Sequence, residues 1–336
     1  MVLAKKWVLT KLFDGFPTEA DLELQTEEIS EEVKDGEILC ESLFLTVDPY
    51  MRGMARSAAE GEVMFGEAVA KVIASKSADW PVGSLVLARF GWRTHTLVDT
   101  KDKCAKSEAL ALREVTKEIG DLSPSLAIGV LGMPGATAYF GTMKLLQPKE
   151  GEVLLVNAAA GAVGSAVGQI GKIKGCKVIG CAGTEEKCNW LKELGFDHVF
   201  NYKTCNLSKE LKKAAPDGID CYFDNVGGNF STTVIMQHMR LYGRVAVCGA
   251  ISMYNDQPVT GPSPWGALIY KQIRIEGFIV TRWFAEWPVA FKELAQWIRE
   301  EKLKIKETIT DGFENMPKAF IGLFKGDNIG KAIIKV

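Results

Sequence analysis

Two rhythms of apolar and polar positions divide the chain. Up to about residue 125, short alternating or β-branched runs such as KWVLTKLF, EILCESLFLTV, EAVAKVIAS and GSLVLARF are cut by Gly, Pro and Asp. Period-two runs bounded by turn formers predict a compact, mostly β domain. A helix follows around ATAYFGTMKLLQ, stopped by Pro148. Apolar strands then recur at 152–157 (EVLLVN), 176–182 (CKVIGCA), 198–202 (HVFNY), 219–226 (IDCYFDNV), 244–250 (RVAVCGA) and 273–280 (IRIEGFIV), with helical patterns between most of them. Thr184-Glu185-Glu186-Lys187 opens one such helix, a hydroxyl cap followed by acids at the positive helix end. Gly195 closes it as the residue after the C-cap. This alternation predicts an α/β architecture with a doubly wound parallel sheet. The end, MPKAFIGLFKGDNIGKAIIKV, reads as a helix, a turn and a last strand that returns to the first domain. The expected division is therefore 1–125 plus 300–336 for the β-rich domain and 126–299 for the sheet-and-helix domain.

Residues 153–171, VLLVNAAAGAVGSAVGQIG, carry no charge over nineteen positions and include a Gly164–Gly168 GxxxG pair. A membrane span with a small-residue packing face has that pattern. So does a buried strand, a tight turn and the start of a helix. EVLLV is short and β-branched, and the run turns at AAAGAVG inside a regular αβ alternation, which favours the second reading. Ala159-x-Gly161-x-x-Gly164 is then a variant of the GxGxxG turn: the central glycine admits a pyrophosphate and the last lets helix and strand pack closely. Five more strands follow it, six in all, as in a Rossmann dinucleotide domain. About twenty residues on, an NAD site carries an acid. Here Cys181-Ala182-Gly183-Thr184 has a small residue instead, and Lys187 follows one helical turn later. The expectation is NADP(H), with Lys187 and Tyr202 at the 2′-phosphate, and Glu185 and Glu186 serving the helix dipole.

Composition narrows the function further. The 336 residues include 40 Lys+Arg and 42 Asp+Glu, a net charge of −2, without the basic excess of a nucleic-acid binder. Lys5, Lys6 and Lys11 interrupt any signal-peptide core at the start. The eight cysteines (40, 104, 176, 181, 188, 205, 221, 248) form no CxxC pair, and fit reduced, buried thiols of a cytoplasmic protein. The histidines at 95, 198 and 238 lie far apart, and no Cys/His/Glu set has catalytic zinc spacing, so no metal is expected.

The order of a β-rich domain, AAAGAVG and a returning C-terminus resembles the medium-chain dehydrogenase/reductase superfamily. FGEAVAKVIA lies where zinc members carry Gly-His-Glu, but Phe65-Gly66-Glu67 has no histidine. VDPYMRGMA (47–55), MPGATAYFG (133–141), DCYFDNVGG (220–228), CGAISMYN (248–255), ENMPKAF and GDNIGK are similar to its zinc-independent double-bond reductases, among them plant alkenal reductases. The resemblance covers essentially the whole chain and implies a GroES-like catalytic domain beside the Rossmann domain. It implies NADPH-dependent reduction of the C=C bond of enones and 2-alkenals, 15-oxo-prostaglandins included, with NADP+-dependent oxidation of a leukotriene 12-hydroxyl as the reverse direction. A homodimer, a small-molecule enone or eicosanoid substrate and no nucleic-acid or membrane partner follow from it too. Without a metal, a neutral donor must stabilise the enolate oxygen. Tyr254, just past the fifth strand of the sheet, is the catalytic candidate, and a tyrosine that only caps its loop is the plain alternative. Tyr50, Arg52 and Arg56 are the substrate candidates, the arginines for a carboxylate; surface arginines in a loop are the alternative. The matching stretches place the cofactor on Gly161, Ala162, Val163, Gly164, Asn225, Cys248, Gly249, Ala250, Ile251, Ser252, Met253 and Tyr254. Phe278, Ile279, Val280 and Asn328 complete that set. Thr281 and the loop 255–265 depart from the pattern on the expected substrate side. A zinc-free quinone oxidoreductase and a non-catalytic, crystallin-like nucleotide binder are the competing readings.

Overall fold

The computed structural model describes residues 1–102, 112–255 and 263–336. The chain packs into two compact units: Met1–Gly132 with Glu307–Asn328 and Ala332–Val336, and Met133–Lys306 with Ile329–Lys331.

In the first unit, β1 (Val2–Leu9) pairs antiparallel with β2 (Leu22–Ile29). The larger sheet begins with β3 (Glu37–Thr46), β4 (Ala68–Ser75), β5 (Leu85–Ala88), β6 (His95–Asp99) and β7 (Arg113–Glu114), all antiparallel to their neighbours. Alternating burial along these strands feeds a core that holds Met51, Met64, Trp92 and Phe320. Phe320 comes from the helix Met316–Lys325 and meets Phe13 and Trp92 at ring distances of 5.8 Å each.

The second unit contains β8 (Val153–Val156), β9 (Lys177–Ala182), β10 (His198–Asn201), β11 (Ile219–Asp224), β12 (Met239–Val247) and β13 (Arg274–Gly277). They form one parallel sheet in the order β10-β9-β8-β11-β12-β13, the 3-2-1-4-5-6 arrangement of a dinucleotide-binding sheet. Order reverses between β8 and β11, which puts a crevice at the carboxyl ends of those two strands. The last strands, β14 (Glu307–Asp311) and β15 (Lys331–Lys335), join the sheet of the first unit beside β3.

The charge-free run 153–171 divides as strand β8, a turn and the helix Ala162–Ile173. Its glycines are contact points. A Cβ on Gly164 would stand 2.5 Å from the Ala158 carbonyl oxygen, and one on Gly168 would stand 1.9 Å from the Phe196 ring. Among the described residues no helix is long and apolar enough to cross a membrane.

The structure moves several boundaries. Residues 126–132 belong to the first unit, because Ala127 and Ile128 are buried against Val69, Leu87 and Ile333. Residues 300–306 belong to the second, where Gln169 bonds both the N–H (2.7 Å) and the carbonyl (3.0 Å) of Lys304. The helix expected over 136–147 starts at Met133 and widens into a π-type turn over Gly141–Leu146. It ends where Gln147 takes a left-handed φ of 47°. The strand expected at 244–250 runs Met239–Val247, with Tyr242 at φ 62° inside it. The described cysteines are all free thiols; Cys104 lies outside the described residues.

Candidate active site

The site of the second unit is built from four strand ends. At the end of β8, Ala158 takes a positive φ of 45° and bends the chain into the turn. Gly161 then caps the helix Ala162–Ile173 in extended conformation. A Cβ on Gly161 would meet nothing closer than the Ala158 oxygen at 3.3 Å, so the space above the cap is open. The first-turn amides of Ala162, Val163 and Gly164 belong to a helix N-terminus, which favours anions. The donor set and the open space suit a pyrophosphate. Gly330 donates to the Ala160 carbonyl at 2.7 Å and ties down the turn from the far end of the chain.

At the end of β9, Thr184 Oγ1 accepts from the Lys187 amide at 3.3 Å and caps the helix Glu185–Glu193. Gly183 lies beneath two side chains: a Cβ there would stand 3.1 Å from Lys203 Cε and 3.2 Å from the Tyr202 hydroxyl. Asn201 donates to Glu185 Oε1 at 3.3 Å and accepts from the Lys203 amide at 3.0 Å. The pocket where an acid stands in NAD proteins is thus roofed by a phenol and an ammonium. The sequence reading named Lys187 and Tyr202 and missed Lys203; its signal was the residue after Tyr202 on the third strand's exit.

Between β8 and β11 lies a buried polar hub. Asn157 is 1% exposed. Its Nδ2 donates to the Tyr222 hydroxyl (2.6 Å) and to Asp224 Oδ1 (2.8 Å). Asp224 Oδ1 also accepts the Tyr222 O–H and the amides of Val226 and Gly227, each at 3.0 Å. Burial and the Asp224 charge push the Tyr222 phenol well above its ordinary pKa, so it stays a donor. Asn225 is bound twice by Asn157: its amide N–H at 2.7 Å and its Nδ2 at 3.1 Å.

The turn after β12 hangs on the same segment. Cys248 and Gly249 donate to the Asp224 carbonyl, Ile251 to that of Asn225 and Ser252 to that of Val226. Ile251–Met253 forms one 3-10 turn and brings Tyr254 back over Gly249. The Tyr254 oxygen accepts the Ala250 N–H at 3.3 Å, and a Cβ on Gly249 would stand 3.0 Å from that oxygen. Burial raises the phenol pKa above 10, with the Ala250 amide opposing. Of the loop 255–265, residues 256–262 lie outside the described residues. Phe278 donates its amide to Val247 and packs edge-on to Phe223 at 6.2 Å. Val280 is buried, and Ile279 is 77% exposed.

In the first unit, Tyr50 is half-buried with its hydroxyl sealed in and unbonded, packed edge-on to Phe65 at 5.9 Å. Arg56 is exposed on the turn Ala55–Ser57. Arg52 is bound within the chain. It is 3% exposed, its Nη2 donates to the carbonyls of Phe13 (3.0 Å) and Gly15 (3.1 Å), and its guanidinium lies over the Phe13 ring. Nε and Nη1 are sealed in with it. It fastens the N-terminal loop. Asn328 sits half-buried in the turn between the helix Met316–Lys325 and β15. No group of three or more His, Cys, Asp or Glu among the described residues is placed to hold a metal ion.

A parallel 3-2-1-4-5-6 sheet with an open helix cap at its switch point, plus a strand-rich unit made from both ends of the chain, defines a dinucleotide-dependent oxidoreductase. Residues 5–106 match the family model for the N-terminal domain of oxidoreductase, and residues 162–296 match that for zinc-binding dehydrogenase. Prostaglandin reductase 1 of Rattus norvegicus is 53% identical, with 100% of both chains covered. The NADPH-dependent curcumin reductase of Escherichia coli is 38% identical over 99% of this chain and 96% of that protein. The structure of CurA from Vibrio vulnificus in complex with NADPH superposes with a TM-score of 0.88 at 38% identity, covering 99% of each chain. The chain belongs to the medium-chain dehydrogenase/reductase superfamily and, within it, to the family of prostaglandin reductase 1.

Proposed function

We propose that this protein reduces the C=C bond of α,β-unsaturated ketones and aldehydes with NADPH, 15-oxo-prostaglandins and 2-alkenals among them. One observation carries the reading: a half-buried, neutral phenol, Tyr254, is held at the carboxyl end of β12 on the turn that also fixes Asn225. The bound cofactor supplies a hydride for the β-carbon. The helix cap at Gly161 receives the pyrophosphate, and Lys187, Tyr202 and Lys203 receive the 2′-phosphate at Gly183. Asn225, Cys248–Tyr254, Phe278–Val280 and Asn328 complete the cofactor contacts. Charge gathers on the substrate carbonyl oxygen, and Tyr254 donates its O–H to that oxygen. Accepting the Ala250 N–H polarises the same phenol and strengthens it as a donor. Tyr50 and Arg56 are the substrate-side candidates of the first unit.

The protein works as a cytoplasmic homodimer. The described thiols are free and mostly buried, which fits a reducing compartment. Strand β13 is one edge of its sheet, and Trp265, Ile269, Tyr270 and Ile279 are 67–85% exposed nearby in sequence. Edges and apolar patches of this kind are normally covered. NADPH consumption against a 15-oxo-prostaglandin, 4-hydroxynonenal, a small neutral enone and a quinone tests the activity. Turnover of the three enones supports it, and turnover of the quinone alone overturns it. Light scattering reads the oligomeric state: a 36.8 kDa species would remove the dimer.

A further inference from the structure

The stretch MPGATAYFG (133–141) contributes none of the cofactor or substrate candidates, yet its last residue lies against Phe278. Gly141 opens the π-type turn Gly141–Leu146, and widened turns of this kind recur at functional sites. A Cβ on Gly141 would stand 2.5 Å from Phe223 Cε2 and 2.7 Å from Phe278 Cζ. Its φ lies outside the left-handed region, so space and not backbone conformation demands the glycine. Trp283 packs on the Phe278 ring at 5.7 Å and stacks on Phe140 at 5.4 Å, 13° from parallel. Phe140, Phe223 and Trp283 are all buried. The Phe278 ring therefore sits in a cage made by a helix end, strand β11 and the turn Val280–Glu286, all of the second unit.

The backbone beside that ring is fixed at both ends. The Phe278 amide donates to Val247 at 3.3 Å, and Trp287 Nε1 donates to the Val280 carbonyl at 3.3 Å. Between them, the Phe278 carbonyl and the Ile279 N–H have no hydrogen-bond partner among the described residues. One acceptor beside one donor matches a primary carboxamide, the polar group of a nicotinamide. We infer that Gly141 and Trp283 are positioning residues: the cage they form around Phe278 holds this backbone where the nicotinamide carboxamide meets it. The role rests on Phe278–Val280 as cofactor contacts, and not on the identity of the substrate.

Calorimetric titration of the full-length protein with NADPH, and with adenosine 2′,5′-bisphosphate, which lacks the nicotinamide, tests it. Gly141→Ala drives a methyl into the cage and Trp283→Leu opens it. Each should weaken NADPH about tenfold, the scale of one or two hydrogen bonds, and leave the bisphosphate unchanged, which also shows that the variant folds. Trp283→Phe keeps an aromatic face and should recover most of the loss. With a small neutral enone, kcat should fall about tenfold or more in the two disruptive variants, the effect of a displaced reactant, with KM for the enone kept. An equal loss on both ligands overturns the proposal, and so does a wild-type preference for NADPH that persists in both variants. Equal binding of the two ligands by wild type removes the carboxamide contact, and the positioning role falls with it. If no enone is reduced while the two ligands still respond differently, the reductase reading fails and the positioning role stands.

Discussion

Asn157 holds Asn225 at both ends: its side-chain oxygen accepts the Asn225 backbone N–H at 2.7 Å, and its backbone carbonyl accepts the Asn225 amide at 3.1 Å. The same side chain reaches Tyr222 and Asp224 through its Nδ2. Asn157→Leu keeps the volume and strips these bonds, leaving the Asn225 N–H and part of the Asp224 carboxylate buried and short of partners. Stability should fall by about 1–3 kcal/mol, read by urea denaturation. NADPH should bind more weakly by fluorescence titration, because Asn225 loses its register. A variant with wild-type cofactor affinity would separate the hub from the site.

Tyr254 leads to a pH prediction. Burial raises its pKa above 10, so the protonated, hydrogen-donating form persists through neutral and mildly alkaline pH. It is lost only as pH climbs through that raised value. Tyr254→Phe should lower kcat by about 10²–10³, the cost of an oxyanion donor, with NADPH affinity nearly unchanged. The wild-type advantage over the variant should stay flat from pH 6 to 9, roughly the range in which a phenol remains neutral.

The glycines of the first helix separate two roles. Gly164→Ala places a methyl 2.5 Å from a backbone oxygen of the turn, so both stability and NADPH affinity should drop. Gly168→Ala drives a methyl into the buried Phe196 ring and should cost about 1–3 kcal/mol of stability by overpacking, with cofactor affinity spared. Denaturation and fluorescence titration on the two variants check the split.

Lys203 lies over Gly183 beside Tyr202. Lys203→Glu and Lys187→Glu should each weaken NADPH about tenfold or more, the scale of one charge-assisted contact, and leave NADH alone. Dissociation constants for both cofactors decide this; equal losses for NADH would move these lysines out of the 2′-phosphate site.

Much of the fold was legible because it is local. Period-two apolar runs gave the strands, Thr184 and Gly195 marked one helix, and AAAGAVG placed the turn. Long-range pairings were not legible. Arg52 finds its carbonyl partners at Phe13 and Gly15, in a loop that no spacing rule connects to it. The Asn157–Asp224 hub joins residues 67 positions apart, and they meet only because β8 and β11 are neighbours in the sheet. Lys203 escaped because a lysine after a strand looks like solvated surface until Gly183 is seen beneath it. The early start of β12 was hidden by Tyr242, whose left-handed φ of 62° reads as a turn.

The free cysteines have a chemical consequence. Enones and alkenals are electrophiles that add to thiolates. Burial pushes the thiol pKa of Cys176 up to about 11 and those of Cys40 and Cys248 to about 12. It raises Cys181, Cys188, Cys205 and Cys221 as well. Nucleophilicity belongs to the thiolate, and at neutral pH these seven groups supply almost none. Among its described residues, a protein that spends its working life among soft electrophiles thereby carries sulfur they do not readily alkylate.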